Sequence, residues 1–431
     1  MKISLFQGIL IGVFGLGALV GLFVFATYTS NSGSEQIGEV VIWGVLSQDD
    51  MQSVLTTIGQ TDTNLKNVSY VQKNPATLSS ELASAIATGV SPDLVLASQE
   101  ELRSIAKFIG PISFGTLSPS VFTNTFIQGA GIFTAPGGYY GVPFLVDPMV
   151  LFYNRSILSS SGIAKPPATW EALTGLVPNI AILSSTRQVT RGLIALGTYN
   201  NINNARGILS SLFLQTGVPI SSSAQGTLSA NLGSSSAGGV PAGEAVVGFY
   251  TQFTDPSKIS YTWNASLPNS RQMFLVGDLA LYLGYVSEAR NLRSANPNLN
   301  FDVAILPQPA TAQSKSAYGL IYSFMIPVGA KNGAGAYQVA AILSSSDGQF
   351  ISSSLTGMAP VNLNVLATAP VDPVSVIAYT EALYTHGWLS PSPFDTDSVF
   401  SGMINNVISG RLTLEAALGG AERALNALLQ Q

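Results

Sequence analysis

After residue 38, short apolar runs alternate with segments in which apolar residues are spaced as on one face of a helix. The short runs are rich in Val, Ile and Leu, as buried strands are, and the segments between them repeat apolar residues at intervals of three and four. This pattern predicts strands at residues 39–44, 68–71 and 92–97 and helices at residues 48–58, 78–88 and 99–109. Strands that alternate with helices are typical of a parallel α/β sheet, so we expect a doubly wound lobe here.

The pattern is less regular beyond residue 150. A Pro-Pro pair at 166–167 precedes Thr169, which is placed to cap a helix that begins at Trp170, and we interpret Trp170 as a packing anchor. Residues 221–241 are rich in Ser, Gly and Ala without periodicity, which predicts a long loop. A further strand is predicted to begin at Phe274, and others are predicted at residues 279–283 and at residues 318–327.

The amino-terminal segment is strongly apolar. Residues 9–28 form a stretch of about 20 residues, enough to cross the hydrocarbon core of a bilayer, so residues 1–29 are predicted to be a membrane anchor or signal segment. The only nearby base precedes this stretch and acidic residues follow it, which places the remainder of the chain outside the cytoplasm. A cleaved signal peptide is the alternative, but we favour a retained helix because the stretch exceeds the usual signal core. Residues 30–38 are predicted to be a flexible linker.

Composition excludes several classes of protein. The chain has 431 residues, too many for a single apolar core, so two lobes are expected. Lys and Arg total 18 against 23 Asp and Glu, a net charge of -5, and no basic run is present to bind a nucleic acid backbone. Because the chain has no cysteine and a single histidine, His386, we expect no metal, no cofactor and no Cys- or His-based catalytic centre.

Three consecutive motifs carry the clearest functional signal. They are Tyr140-Gly-Val-Pro-Phe144, Asp147-Pro-Met-Val-Leu-Phe-Tyr-Asn154 and Pro166-Pro-Ala-Thr-Trp-Glu-Ala-Leu173. In this order and spacing they resemble the signature of the family 1 extracellular solute-binding proteins of ABC importers. Later segments are similar to the same family, and the resemblance extends over roughly residues 39–429.

The resemblance implies an α/β, periplasmic-binding-protein-like fold of two discontinuous lobes joined by a multi-stranded hinge. Lobe 1 would comprise residues 39–144 and 318–358, and lobe 2 residues 145–317 and 359–431. Members of this family are not enzymes. They capture a small solute, here expected to be a carbohydrate or a similar polar molecule, and deliver it to the permease subunits of an importer.

The implied protein is an extracytoplasmic monomer that is tethered to the membrane by residues 9–28. Two alternatives remain open: an extracytoplasmic carbohydrate-active enzyme, and a receptor that presents its ligand to a membrane sensor. The enzyme would need two carboxylates at a defined separation across a sugar, and the sequence shows no paired acidic motif.

Candidate binding residues are sought at the ends of predicted strands, because ligands of open α/β sheets bind beyond the carboxyl ends of strands. Trp43 and Gly44 end the first strand, where the indole could stack on a sugar ring and the glycine could permit close approach. The alternative for Trp43 is packing under the first loop. Asp147 precedes Pro148 and could accept hydrogen bonds from ligand hydroxyls; alternatively, it fixes the turn before the proline.

Four residues in the second half of the chain complete the set of candidates. Gly284 and Tyr285 directly follow the predicted strand at 279–283. Trp263 lies in a stretch without periodicity, which leaves exposure at the ligand cleft and burial in the core both open. Tyr318 begins the predicted return strand, with packing in the core as its alternative.

Overall fold

The computed structural model describes residues 37–224, 227–234 and 242–430. The predicted anchor at residues 1–29 and residues 30–36 of the predicted linker lie outside the described residues. Among the residues that are described, no helix combines the length and the apolar character that crossing a membrane requires.

The described residues form strands and helices throughout. The strands are β1 (Val40–Gly44), β2 (Val68–Gln72), β3 (Leu94–Ser98), β4 (Ile112–Ser113), β5 (Thr134–Ala135), β6 (Gly138–Tyr139), β7 (Gly141–Asn154), β8 (Ile182–Leu183), β9 (Val189–Ile194), β10 (Ser221–Ala224), β11 (Thr227–Ala230), β12 (Leu279–Tyr285), β13 (Phe301–Ala304), β14 (Ala317–Met325), β15 (Ala359–Pro360) and β16 (Thr385–His386). The helices are α1 (Gln48–Gly59), α2 (Leu78–Ala87), α3 (Gln99–Ile105), α4 (Pro119–Thr125), α5 (Arg155–Ser160), α6 (Trp170–Thr174), α7 (Val177–Ile180), α8 (Ala205–Leu214), α9 (Ala242–Thr251), α10 (Ser270–Val276), α11 (Glu288–Ala295), α12 (Gly333–Leu343), α13 (Ser346–Thr356), α14 (Leu363–Leu366), α15 (Pro373–Ala382), α16 (Pro393–Ile408) and α17 (Leu414–Leu429).

Helix α1 shows how local signals define an element. The Ser47 hydroxyl accepts a hydrogen bond from the Asp50 backbone N–H at 3.5 Å, which caps the amino terminus of the helix. Two aspartates in the first turn favour the same end through the helix dipole. The buried residues repeat at helical spacing and anchor one face of α1 to the core: Met51, Val54, Leu55 and Ile58.

Most strands join one mixed sheet, which has eleven strands in the described part of the chain. Its main path runs β2-β1-β3-β14-β7-β12-β9-β8. Strands β2, β1 and β3 are parallel, which confirms the parallel arrangement predicted from the alternation of strands and helices. The pairs β3/β14, β14/β7 and β7/β12 are antiparallel, and β9 is parallel to β12. Residues Glu39–Gln431 form a single compact unit.

Strand β7 is the central strand of this sheet and pairs with four other strands. All 14 of its residues are buried, because it pairs with β14 along its first half and with β12 and β13 along its second half. Its register with β14 shifts between Ile321 and Ser323, opposite Pro143. Proline cannot donate a ladder hydrogen bond, so an irregularity at this point accommodates it without loss of pairing on either side.

The structure corrects two of the predicted elements. Residues 221–241 are not one long loop, since β10 and β11 pair as an antiparallel hairpin, and the Ala230 N–H donates to Asn426 of α17 at 2.8 Å. Asn426 is distant from the hairpin in sequence, so no local sequence pattern could predict this contact. Phe274 lies in α10 rather than in a strand. The helix is capped by Asn269 and ends at Gly277, whose φ of 86° is left-handed.

Candidate functional site

The carboxyl ends of two strands face each other across the centre of the sheet. β3 ends at Ser98, which pairs with Tyr322 of β14, whereas β12 ends at Tyr285, which pairs with Met149 of β7. Between these two levels β14 and β7 continue alone on the main path of the sheet, with Gly319 opposite Pro148. Ligands of α/β sheets bind in such a gap, beyond the carboxyl ends of the strands.

We call the polar side chains around this gap the strand-end cluster. Its members come from α3, β7, α8, β12, α11, β14 and α16: Glu100, Glu101, Asp147, Arg206, Tyr285, Glu288, Tyr318, Tyr322 and Asp397.

An ion pair between Arg206 and Glu100 lies at the heart of the cluster. Nε and one terminal nitrogen of Arg206 donate to the two carboxylate oxygens of Glu100 at 3.1 and 2.7 Å. The other terminal nitrogen donates to Asp397 at 2.8 Å and to the carbonyl of Pro393 at 2.9 Å. The side chains of Glu100 and Arg206 are only 6% and 17% exposed, whereas that of Asp397 is 47% exposed. Such a two-pronged contact fixes the guanidinium in one geometry.

Local structure presents Glu100 at this position. It lies in the first turn of α3, within a capping box: the Ser98 hydroxyl accepts from the Glu100 backbone N–H, and the Glu101 carboxylate accepts from the Ser98 backbone N–H. The hydroxyl of Tyr318 donates to Glu100 from β14. Burial, followed by the charge of Glu100, raises the pKa of Tyr318 well above its usual value, so this phenol remains a donor. For Arg206, burial alone would lower the pKa, but Glu100 and other neighbours outweigh it and raise the pKa.

Asp147 lies on β7 at the floor of the gap and is buried. Its two oxygens accept hydrogen bonds from the backbone N–H and the hydroxyl of Ser287, at 3.0 and 2.6 Å. Burial raises its pKa to about 7, although the hydrogen bonds from Ser287 act in the opposite direction. The carboxylate therefore holds the turn that follows β12.

Tyr285 stands at the end of β12 and is half-buried. Its backbone N–H donates to Glu288 at 3.0 Å, and its hydroxyl lies 2.8 Å from the point where a Cβ on Gly207 would be. Neither the Tyr285 hydroxyl nor that of Tyr322 makes a hydrogen bond to another described residue. Gly284 is required for packing, because a Cβ there would lie 2.7 Å from both Glu288 and Tyr282.

Trp43 and Gly44 lie at the end of β1, which is next to β3 in the sheet. The Lys73 ammonium sits 3.7 Å above the centre of the half-buried Trp43 ring and pairs with Glu81 at 2.7 Å. A Cβ at Gly44 would lie 2.6 Å from the ring of Tyr70, so Tyr70 occupies the space that was expected to admit a ligand. The described contacts of these two residues do not include members of the strand-end cluster.

Trp263 belongs to the core, which corrects its selection as a candidate ligand-binding residue. It is fully buried, and its indole N–H faces Thr198 and Asn201 at 3.1 and 3.3 Å. The structure thus brings together Asp147, Gly284, Tyr285 and Tyr318 among the sequence candidates. Trp170 is buried as expected, and its indole N–H donates to Gln215 at 2.7 Å.

The sequence analysis missed Glu100, Arg206 and Asp397. Glu100 follows a correctly predicted strand, so the strand-end argument applied to β3 would have found it. Arg206 carries no local signal, since it lies 106 residues from Glu100 and 191 residues from Asp397. Phe394 was also missed. It adjoins Pro393, whose carbonyl binds Arg206, and its side chain is 80% exposed.

A pocket of about 410 Å³ adjoins the cluster. It is lined by residues of the segment before β5, of the β10–β11 hairpin and of the segment that includes His386 and Trp388. A Cβ on Gly387 of this lining would lie 2.8 Å from Gln99, which connects the pocket to the start of α3. Across the described ranges, no three or more His, Asp or Glu side chains are grouped to hold a metal ion.

An α/β sheet whose strands end at a central gap is the architecture of periplasmic-type binding proteins. The sequence model of the family described as bacterial extracellular solute-binding protein matches residues 60–375, and the chain belongs to this family. The resemblance to extracellular solute-binding proteins is thereby confirmed. No curated protein matches the chain.

Solved structures show the same fold. A cyclo/maltodextrin-binding protein is 16% identical with a TM-score of 0.72, over 93% of this chain and 99% of that chain. A solute-binding protein of an ABC transporter from Thermotoga lettingae is 19% identical with a TM-score of 0.68, over 91% and 100% of the two chains. The sugar-binding protein MalE from Xanthomonas citri is 16% identical with a TM-score of 0.70, over 91% and 97%. The predicted periplasmic-binding-protein-like α/β fold is confirmed.

Proposed function

We propose that this protein is the substrate-binding subunit of an ABC importer and captures a carbohydrate or a similar polar solute in the gap between β3 and β12. The observation that carries the proposal is the arrangement of these strands, whose carboxyl ends face each other with only β7 and β14 continuing between them on the main sheet path. A solute in this gap would touch both halves of the sheet at once.

The same arrangement supports two lobes within the compact unit. Lobe 1 would comprise residues 39–144 and 318–358, and lobe 2 residues 145–317 and 359–431. Strands β7 and β14 would form the hinge, since both continue past the ends of β3 and β12. A hinge of paired strands restricts motion to opening and closing, the hinge-bending mode in which binding proteins enclose a ligand.

The chemistry of the gap suits a sugar. Tyr285 and Tyr322 offer phenol hydroxyls that lack described partners, and the exposed ring of Phe394 offers an apolar face. Aromatic faces pack on sugar rings, while a few fixed polar groups orient the hydroxyls. Structural neighbours were solved with maltotetraose and maltotriose bound, which supports the same class of ligand here.

The way in which three of the carboxylates are held supports binding without catalysis. Glycoside hydrolysis needs one carboxyl to protonate the leaving group and a second to attack or to activate water. Glu100 and Asp397 are both bonded to Arg206, and the oxygens of Asp147 are occupied by Ser287. These contacts favour a fixed recognition surface over an acid and base pair.

The setting of the protein in the cell is part of the proposal. Residues 9–28 would anchor it to the membrane and residues 30–38 would act as a leash, with the binding unit outside the cytoplasm. A tether of this kind keeps a monomeric receptor at a high effective concentration near its permease subunits.

A ligand screen with two variants tests the proposal. The full chain is screened by thermal shift against neutral saccharides, because a ligand that binds only the folded state raises the melting temperature. For a saccharide that stabilises the protein, Tyr285→Ala should weaken binding by about 1 to 3 kcal/mol. Tyr285→Phe keeps the ring, so its loss of affinity measures the contribution of the hydroxyl alone. Trp43→Ala tests whether the site extends to the end of β1: if it does, binding should weaken by a similar amount, about 1 to 3 kcal/mol, and if the site is confined to the strand-end cluster, binding should be unchanged.

The outcomes separate the site from the function. If Tyr285→Ala binds the saccharide as tightly as the native chain, the site lies elsewhere. If no neutral saccharide stabilises the chain, the carbohydrate assignment fails.

A further inference from the structure

The strand-end cluster is strongly acidic. Its members include five carboxyl groups, those of Glu100, Glu101, Asp147, Glu288 and Asp397, and one guanidinium, that of Arg206, which pairs with Glu100 and Asp397. Burial raises the pKa of Glu101 and of Asp147 to about 7. Even without those two, the cluster has three carboxylates and one guanidinium.

We propose that this site selects saccharides by charge, taking neutral sugars and basic amino sugars and rejecting sugars that carry a carboxylate, such as uronic acids. The inference rests on the proposed function and names the class of ligand that the same site would take. Like charges that are brought together in a desolvated interface repel each other strongly, and charged surfaces exclude the wrong partner in this way.

Most of the hydrogen-bonding capacity of Arg206 is already used within the protein. Four of its five N–H groups donate, two to Glu100, one to Asp397 and one to the Pro393 carbonyl. A ligand carboxylate could therefore form a two-pronged contact with the guanidinium only by displacing Glu100 or Asp397. Displacement would leave a carboxylate of the protein without its cation, and for the buried Glu100 this is strongly unfavourable.

Two other arginines lie in this region. Arg290 is exposed and pairs with Asp50 at 3.2 Å. The charge of Arg271 lowers the pKa of Tyr282, against the larger effect of burial, and the buried Nε of Arg271 has no described hydrogen-bond partner. Neither side chain has a described hydrogen bond to Tyr285 or Tyr322.

The groups in the gap that can contact a ligand favour neutral or basic sugars. The hydroxyls of Tyr285 and Tyr322 have no described hydrogen-bond partner and can both donate to and accept from sugar hydroxyls. A protonated amine can only donate, and the surrounding carboxylates and phenol oxygens all accept. An amino sugar therefore meets complementary groups where a uronate meets like charge.

A matched panel of monosaccharides tests this inference. Glucose, galactose and mannose are each compared with the corresponding 2-amino sugar and the corresponding uronate, by calorimetric titration of the full chain at pH 7. For each hexose that binds, the uronate should bind at least about tenfold more weakly, and the amino sugar at least as tightly. A uronate that binds as well as its neutral parent overturns the inference but leaves the carbohydrate proposal standing. If all nine sugars fail to bind, the carbohydrate proposal falls and the inference with it.

Two variants test whether the carboxylates bonded to Arg206 cause the selectivity between neutral sugars and uronates. Glu100→Gln and Asp397→Asn each release one contact of Arg206, so both should narrow the difference between the neutral sugar and its uronate. Asp397 is the more exposed of the two, which makes its variant the safer one for folding, and a melting curve without ligand verifies this. An unchanged ratio of affinities in a folded variant would show that Arg206 and its carboxylates do not set the selectivity.

Discussion

Replacing Arg206 by glutamine should cost about 3 kcal/mol of the free energy of unfolding. Breaking a buried ion pair typically costs about 3 to 5 kcal/mol, because the remaining partner is left as an uncompensated charge. Here Glu100, 6% exposed, would lose both contacts of the fork, whereas Asp397, 47% exposed, would regain water. The penalty therefore comes mainly from Glu100 and lies near the lower end of the range. Urea unfolding followed by tryptophan fluorescence measures it.

Three further variants decide whether the charge or the packing is responsible. Arg206→Lys keeps the charge but not the planar fork, so its loss should be intermediate. Lys73→Gln breaks a more exposed pair and should cost much less. The double variant Glu100→Gln with Arg206→Gln removes both charges and should be more stable than Arg206→Gln alone. If the double variant is the less stable of the two, the loss is due to packing and the reasoning is refuted.

Three other predictions concern burial. Trp263→Ala should cost about 3 to 5 kcal/mol of stability, because a fully buried indole is replaced by a cavity, and a loss typical of surface positions in urea unfolding would contradict its place in the core. Gly284→Ala should cost about 1 to 3 kcal/mol, since the new Cβ would meet Glu288 and Tyr282 at 2.7 Å, and a melting temperature equal to the native one would argue against that packing. Burial raises the pKa of Glu381 to about 8 from its ordinary 4.5, so the folded protein holds this proton more tightly than the unfolded chain. Its contribution to stability is fully present below about pH 4.5 and is lost as the pH rises towards 8, and Glu381→Gln should flatten that decline in urea unfolding at a series of pH values.

Much of the fold could be predicted because its signals are local. The capped amphipathic helix α1 and the apolar strands β1 and β3 each carry their own period, and Thr169 caps α6 as predicted. Elements without such a period were misjudged. The β10–β11 hairpin reads as a Ser-rich loop, and the Phe274 segment was assigned to a strand although it forms a helix.

In the candidate site, too, residues with a local sequence signal were predicted, and the roles of residues that depend on distant neighbours were not. Tyr285 was selected because it follows a predicted strand, and Asp147 because it precedes Pro148; both are local features of the sequence. The roles of Trp43 and Trp263 depend on their neighbours: a lysine covers the first, and Thr198 and Asn201 enclose the second. An indole has the same sequence signature in both settings.

The sequence by itself determined the family and the parallel strand and helix units, and it predicted that a ligand would bind at the carboxyl ends of the strands. Only the tertiary structure decided which charges meet there, because Glu100, Arg206 and Asp397 come from three helices far apart in the chain. Periodicity reports how a segment is buried, and it does so within a few residues. Electrostatic pairing depends on distances in space, and these exist only after the sheet has brought its strands together.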